Sequence, residues 1–540
     1  MKVHIIRHWK FLRFQNNTKN PTQMARHRNL KNKIPMKLIK ILISSFFLFS
    51  ACTKKDHTID FTFLQLNDVY EIAPIQGGAF GGMARVETVH KDLLKENKNT
   101  MLFMAGDFLN PSLIGTLKVG GERVKGKQMV EVMNAMNFDL VAFGNHEFDV
   151  SKDDLQKRLN ESNFPWISAN VKLKTKDTLS SFYKERKGKQ QPVNKTFVKE
   201  FTDADGTKIK IGFISVCIPS NPKDHVEYGN MFAEAKASYA ALKDRVDVVF
   251  GLTHVKLAND KKIAKLLPNL PLIMGGHEHE NSINFVGDVQ ISKADANAKT
   301  VFVHRISYDK KTKKTLVTSE LKEINSAIKE DEKVVAIVTK WQDILNTKLK
   351  DIISNPAEVV YTANIPLDGR DTPIRSIQTN LGAVITKAMS FGFNNEVDAA
   401  LVNGGSIRID DQLSDAITAV DIFRVLPYGG AVLKVDITGR LLKRVLQYGK
   451  LAEGTGAYLQ RYNATVVDKV WYIRGKSLNE TKTYTVAFSD YLLKGLDIPF
   501  LSDKSVGILK IYKPSEKELS ADIRKVVIAY LKLETKKHNK

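Results

Sequence analysis

Five short apolar runs, each stopping abruptly at side chains able to bind a metal, constrain this chain more than any other feature. Phe61-Thr62-Phe63-Leu64-Gln65-Leu66 stops at Asn67-Asp68, and Met101-Leu102-Phe103-Met104-Ala105 stops at Gly106-Asp107. Leu140-Val141-Ala142-Phe143 stops at Gly144-Asn145-His146-Glu147. Val246-Asp247-Val248-Val249-Phe250 leads to Gly251-Leu252-Thr253-His254, and Pro271-Leu272-Ile273-Met274 stops at Gly275-Gly276-His277-Glu278-His279. Runs of this length bounded by glycine read as buried strands. The stretches Ala84 to Lys95 and Lys127 to Asn137 between the earlier runs read as helices. Strands alternating with helices predict an α/β sheet whose loops gather at one edge and build a site there, with glycines allowing sharp turns and close backbone approach.

The residue types decide the chemistry expected at that edge. Aspartate supplies a hard oxygen that can bridge two cations, histidine suits Zn, Mn or Fe, and asparagine adds a neutral oxygen. Two cations about 3.5–4 Å apart clamp a phosphoryl group and activate water against it. With 540 residues, 43% hydrophobic and 26% charged, the chain is long enough for two domains and additional segments. Its formal net charge is +23, but residues 1–51 carry eleven Lys or Arg and no Asp or Glu, leaving +12 on the remainder. That excess favours anionic substrates or surfaces. The sequence carries no Arg-rich stripe with interleaved aromatics, and nucleic acid is not an expected partner.

The beginning of the chain reads as a targeting segment. Met36-Lys37-Leu38-Ile39-Lys40 is a short basic start, and Ile41 to Ala51 is an apolar run too short to span a bilayer. It ends in Phe49-Ser50-Ala51-Cys52, similar to a bacterial lipobox apart from Phe49 in the place of the usual Leu. Translation is expected to start at Met36, with residues 1–35 an over-extended reading frame, 36–52 the signal segment and Cys52 the lipidated N-terminus. The mature protein would then be exported and lipid-anchored to a membrane, on its periplasmic or cell-surface side. The other cysteine, Cys217, lies in an apolar run and is expected in the core. With Cys52 lipidated, no disulfide can form within the chain.

The series from Asn67-Asp68 to His277-Glu278-His279 resembles a calcineurin-like metallophosphatase. In the second half, Gln378-Thr379-Asn380-Leu381-Gly382, Asn403-Gly404-Gly405-Ser406-Ile407-Arg408 and Leu426-Pro427-Tyr428-Gly429-Gly430 resemble the C-terminal domain of the 5′-nucleotidase and UDP-sugar hydrolase family. The resemblance covers roughly residues 58 to 515. It implies a layered αββα metallophosphatase sandwich over 58–320 and a linker helix over 321–355. A smaller α/β substrate-binding domain follows over 356–515, and 516–540 form a C-terminal helix and tail. The apolar residues Ile324, Ile328, Val335, Ile337 and Trp341 accord with that linker, and Lys172 to Lys199 reads as an exposed insertion loop.

The resemblance further implies two divalent ions (Zn, Mn or Co) bridged by Asp107. Asp68 and His279 would hold one, and Asn145, His254 and His277 the other. His146, oriented by Asp149, would stabilise charge on the phosphoryl oxygens or the leaving group. The attacking group would be water-derived and not a protein side chain. The family's first motif is usually Asp-x-His, where this chain has Asp68-Val69-Tyr70. Tyr70 either ligates as a phenolate, which would favour iron, or packs and leaves that ion one ligand short. Arg375, Asn403, Gly405 and Arg408 match phosphate or ribose contacts. Tyr428 and Tyr491 match a pair of aromatics that sandwich a nucleobase. Asp497 matches a ribose-binding carboxylate, although its loop, Gly495-Leu496-Asp497-Ile498, departs from the usual Gly-Gly-Asp-Gly. The expected activity is hydrolysis of nucleotide phosphate esters of the 5′-nucleotidase type. The alternatives are a 2′,3′-cyclic nucleotide phosphodiesterase, a UDP-sugar hydrolase, or a non-catalytic surface lipoprotein that binds nucleotides or a partner.

Overall fold

The computed structural model describes residues 57–220, 223–350 and 352–538. The expected start at Met36, the signal segment and Cys52 lie outside the described residues. The first sheet has six strands in the order β12–β11–β1–β2–β3–β4. These are β1 (Thr58–Leu66), β2 (Thr100–Met104), β3 (Leu140–Ala142), β4 (Trp166–Ile167), β11 (Thr300–Asp309) and β12 (Lys314–Glu323). From β1 to β4 the pairing is parallel, and β11 and β12 add an antiparallel edge. The second sheet runs β5–β6–β7–β8–β10–β9. It is built from β5 (Thr196–Thr202), β6 (Lys208–Ile214), β7 (Val248–His254), β8 (Leu272–Gly276), β9 (Ser282–Val286) and β10 (Val289–Lys293).

The two sheets face each other, as the alternation along β1 dictates. Ile59, Phe61 and Phe63 join Phe103, Phe213, Phe250 and Met274 in the core between the sheets. Leu64 and Leu66 turn the other way, onto the layer holding α1 (Met83–Glu96) and α2 (Lys127–Met136). The helices α3 (Met231–Leu242) and α4 (Leu257–Leu266) cover the far face of the second sheet. The expected αββα sandwich is therefore present, and all five apolar runs end at the same edge. Cys217 is a free thiol in the core.

Phe63 is wholly buried, with ring centroids 4.9 Å from Phe103, 5.0 Å from Phe250 and 5.6 Å from Phe213. Phe63→Ala should lower stability by about 3–5 kcal/mol, because so rigid a sheet interface cannot close the cavity left behind. Urea denaturation of the two forms checks this, and a change below about 1 kcal/mol would mean that the interface repacks.

Two sequence expectations need correction. The linker was expected to be helical from Leu321, yet β12 continues to Glu323 in a ten-pair antiparallel ladder with β11. Its residues alternate between solvent and the sheet, a strand period that the apolar positions at 324 and 328 conceal. The helix, α5 (Glu332–Lys350), begins only after Asp331, whose carboxylate caps the amide of Val334. Val334, Val338, Trp341, Leu345 and Leu349 form its buried face, on α1 and α2. The segment 172–199 is not an irregular loop. Tyr183–Arg186 pairs with Lys189–Pro192 in a hairpin, anchored by the buried Phe182 and Val193.

The second domain centres on a five-stranded sheet in the order β17–β14–β18–β16–β19. Its strands are β14 (Ala399–Asn403), β16 (Val432–Thr438), β17 (Leu459–Tyr462), β18 (Thr483–Ser489) and β19 (Ile508–Tyr512). A separate pair, β13 (Val359–Asp368) and β15 (Gln412–Thr418), carries the segment that reaches the first domain. The helices α6 (Asn380–Phe391), α7 (Ala419–Val425), α8 (Gly439–Leu451) and α9 (Ile523–His538) complete the domain.

Candidate metal centre and substrate cleft

Each strand end delivers its side chain because local backbone geometry turns there. Asp68 and Asp107 both sit in the left-handed region, at φ 54° and 58°. Gly106 precedes the second of them at φ 85°, and a Cβ there would lie 2.6 Å from the Gly144 amide and 2.7 Å from His254 Nδ1. A Cβ on Gly144 would lie 2.1 Å from Asp107 Oδ1. Only glycine lets these loops approach so closely.

The Asp107 loop is held by a residue that sequence reasoning left without a role. Glu147 is fully buried and accepts hydrogen bonds from the amides of Asp107 (2.8 Å), Phe108 (2.8 Å), Leu109 (3.1 Å) and Gly144 (2.6 Å). Burial and the neighbouring Asp107 push its carboxyl up to about 7, against the pull of those amides. Lys293 plays the matching part on the opposite side. It is buried, donates to the carbonyls of Val255 and Gly276 (both 2.6 Å), and pairs with Asp260 at 3.0 Å and with Glu278. It thereby fixes the backbone next to His254 and His277.

Asp68, Asp107 and His254 bring ligand atoms within 4.8 Å of one another. His254 donates through Nδ1 to the carbonyl of Ala105 (2.8 Å), which aims Nε2 at the carboxylates: 3.0 Å from Asp107 Oδ2 and 3.9 Å from Asp68 Oδ1. Asn67 and the amide of His277 fix the other oxygen of Asp68, at 2.8 and 2.9 Å. His279 Nε2 stands 3.3 Å from Asp68 Oδ1. The ring of His277 stands edge-on to that of His254, with centroids 5.4 Å apart.

The donor set fits divalent cations. Asp68 Oδ1, Asn145 Oδ1 and His254 Nε2 are buried and make no hydrogen bond. Buried polar atoms are rarely left unpaired, and all three belong to ligands expected from the sequence. The field is strongly anionic: burial works against charge on His254, yet Asp107 and Asp68 raise its pKa to about 9. Burial opposes charge on Asp68 as well, while His254 and His279 draw it down to about 2.

His146 Nδ1 lies 2.7 Å from Asp149 Oδ2, the pairing expected from the sequence. Its Nε2 stands 3.3 Å from Asp410 Oδ2. Asp149 is also met by Arg408 Nη2 at 3.0 Å, Asn110 Nδ2 at 3.2 Å and Lys223 Nζ at 3.5 Å. Tyr70 does not simply pack. Its hydroxyl lies 3.3 Å from His279 Nε2 and donates to Asp410 Oδ2 at 3.1 Å. Burial and the charges of Asp410, Asp107 and Asp68 raise its pKa well above the usual tyrosine value.

A cleft of about 660 Å3 opens between the two domains, reaching the centre's surroundings at Asp149. Asn110, Lys125, Asp149 and Lys223 line it from the first domain, and Arg375, Asn403, Gly405, Arg408, Tyr428, Tyr491 and Asp497 from the second. All seven substrate-site residues expected from the sequence thus face one space. Asn403 Nδ2 donates to Asp497 Oδ2 at 2.6 Å, and the Tyr491 hydroxyl to Asp497 Oδ1 at 3.4 Å. Arg375 pairs with Asp371 at 2.7 Å. Asp410 was not foreseen; an acidic pair two residues beyond the Arg408 motif is the only sequence signal for it.

An αββα sandwich whose strand ends gather Asp, Asn and His donors around His146 defines a metallophosphoesterase. Residues 61–281 match the calcineurin-like phosphoesterase family, and 359–502 match the 5′-nucleotidase C-terminal domain. The chain belongs to the 5′-nucleotidase-type metallophosphoesterases, a family of phosphoric ester hydrolases that use divalent metal ions. It is 28% identical over 423 residues to the 5′-nucleotidase of Bos taurus, covering 70% of this chain and 68% of that protein. It is 26% identical over 502 residues to the trifunctional nucleotide phosphoesterase YfkN of Bacillus subtilis, covering 82% of this chain. It spans only 32% of the length of YfkN. The 5′-nucleotidase precursor of Thermus thermophilus shares the fold, with a TM-score of 0.62 at 20% identity, covering 88% of this chain and 97% of that one.

Proposed function

We propose that the protein hydrolyses nucleoside 5′-monophosphates at a two-metal centre, outside the cytoplasm, while anchored by a lipid on Cys52. The observation that carries the reaction is the cleft, lined by Arg375, Arg408, Tyr428 and Tyr491 from the second domain and by Asp149, the partner of His146, from the first. Asp107 would bridge two divalent ions, with Asp68 and His279 on one and Asn145, His254 and His277 on the other. Bound there, the ions would supply Lewis-acid clamping of the phosphoryl oxygens and an activated water. The chain's own residues do the rest. Arg375 and Arg408 present planar forks to phosphate oxygens. His146, held by Asp149 through Nδ1, keeps Nε2 aimed at the phosphoryl site, where it can hydrogen-bond the developing charge. Asn403 and Asp497, already paired, offer a donor and an acceptor to the ribose hydroxyls. The basic start, apolar run and Ala51-Cys52 pair support the anchor.

The substrate class is tested at the tyrosines. Base–aromatic stacking is worth roughly 1–3 kcal/mol, so Tyr428→Ala or Tyr491→Ala should lower kcat/KM for AMP by about ten-fold or more. An aryl phosphate that lacks a base should be unaffected. Equal losses on both substrates, or none on either, would reject the nucleobase slot and leave a general phosphomonoesterase.

A further inference from the structure

Asp410 belongs to the second domain, on the segment that leads from Arg408 into β15, yet its carboxylate lies inside the metal centre of the first. Its Oδ2 is 3.1 Å from the Tyr70 hydroxyl, 3.4 Å from His279 Nε2 and 3.3 Å from His146 Nε2. Tyr70 and His279 are themselves 3.3 Å apart, and His279 Nε2 is 3.3 Å from Asp68 Oδ1. Ligands bound at about 2.0–2.2 Å stand roughly 3.0–3.5 Å apart around a tetrahedral or octahedral cation. The Tyr70–His279–Asp410 triangle has the edges of one face of such a shell. Asp68 Oδ1, beside it, is fully buried and has no hydrogen-bond partner.

We infer that Asp410 is a ligand of the first metal ion, contributed by the second domain and completing the shell at the position where this chain has Tyr70. The inference rests on the two-metal reading given above. Three further observations support it. The other carboxylate oxygen, Oδ1, accepts the amide of Asp371 at 2.6 Å, the kind of outer hydrogen bond that orients a ligating carboxylate. The residue is held in the left-handed region, at φ 46°, while it is buried. Its charge partners also differ from those of its neighbours. Asp411 takes Lys299 at 2.9 Å, and Glu71 takes Arg424 at 3.0 Å, both across the domain boundary. Among the described residues no Lys or Arg lies within salt-bridge distance of Asp410, whose charge partners are His146 and His279. A buried carboxylate is paired or coordinates a metal, and domain attachment is already provided by Asp411 and Arg424. Asp410 lies outside the tight Asp68–Asp107–His254 group and would reach the ion from the side of Tyr70 and His279. Affinity for that ion therefore depends on the two domains being docked, and Tyr70 acts by holding the carboxylate as well as by facing the ion.

The test measures metal and not turnover. Zinc affinity is read by competition with a chromophoric chelator, and stoichiometry by elemental analysis after gel filtration, on the full chain, Asp410→Asn and Asp411→Asn. Losing an outer partner alone costs 10–100-fold in affinity. Asp410→Asn should therefore bind one of two zinc ions at least about ten-fold more weakly, with the second ion and the thermal melting of the metal-free protein retained. Asp411→Asn should keep both ions. Asp410→Cys loaded with cobalt(II) should show a thiolate-to-cobalt charge-transfer band that the unsubstituted chain lacks, since such a band needs direct bonding. If the unsubstituted chain binds two ions and Asp410→Asn binds two at unchanged affinity, ligation by Asp410 is wrong. Tighter orthophosphate binding in that case would make the carboxylate a stand-in for the phosphoryl group. If the unsubstituted chain itself binds fewer than two ions, the two-metal reading fails first.

Discussion

Asp107→Ala should lose both metal ions and lower phosphate-ester hydrolysis by at least about 10⁴-fold, the largest single effect expected anywhere in the molecule. Its two oxygens face different parts of the site. Oδ2 is 3.0 Å from His254 Nε2, while Oδ1 accepts the amide of His146 at 2.7 Å. Removing the carboxylate therefore takes away the group placed to bridge the ions and releases the backbone that presents Asn145 and His146. Asp68 and His279 would remain for one ion and Asn145, His254 and His277 for the other, each set short of the shared carboxylate, and incomplete sets hold divalent metals more weakly. Elemental analysis should find less than one ion per chain, and hydrolysis of AMP should not recover on adding Mn, Zn or Co. Asp107→Asn separates charge from shape: it keeps the hydrogen bond to His146 but bridges weakly, so metal loss without loss of fold is expected. Full activity in Asp107→Ala would refute the assignment of the site.

The candidate centre was legible because residues able to bind a metal punctuate apolar runs. A strand buried on both faces carries few charged or metal-binding residues before it ends, so Asp68, Asp107, Asn145 and His254 stand out against Leu66, Ala105, Phe143 and Leu252. The cleft residues were legible for a different reason, the resemblance of the Arg408 and Tyr428 motifs to a known domain. What the sequence hid depends on contacts across long stretches of chain. Asp410 meets Tyr70 340 positions away, and nothing local marks it except a second acid beside it. Glu147 was visible within its motif, but its four amide partners lie on two separate loops. Lys293 looks like an ordinary strand-end lysine, yet it is buried beneath His254 and His277. The linker was misread because the apolar residues of a strand end and of a helix follow one another with no break in composition. Only the ladder with β11 separates them.

His146→Ala should lower the rate by about 10²–10⁴-fold while both metal ions stay bound, the reach of one positioned acid–base or charge-stabilising side chain. The side chain is oriented at one nitrogen and presents the other beside Asp410. Asp149 takes Nδ1 at 2.7 Å, which fixes the ring and leaves Nε2 3.3 Å from Asp410 Oδ2. Burial alone would strip charge from this imidazole, but Asp107 and Asp149 outweigh it and hold its pKa well above the usual value. With Nδ1 held by Asp149, Nε2 is the atom placed to hydrogen-bond phosphoryl or leaving-group oxygen. The leaving group gives the decisive comparison. If His146 donates to the departing oxygen, an aryl phosphate with an acidic phenol needs that help least and should lose less rate than AMP, whose ribose alkoxide is a poor leaving group. If His146 only stabilises the phosphoryl oxygens, both substrates should fall by the same factor. Asp149→Asn should reproduce a smaller part of the loss, since it changes the tautomer and also releases Arg408, which the same carboxylate holds at 3.0 Å. A His146→Ala protein that keeps its metals and hydrolyses both esters at the original rate would remove His146 from the chemistry and leave it a packing partner of Asp149.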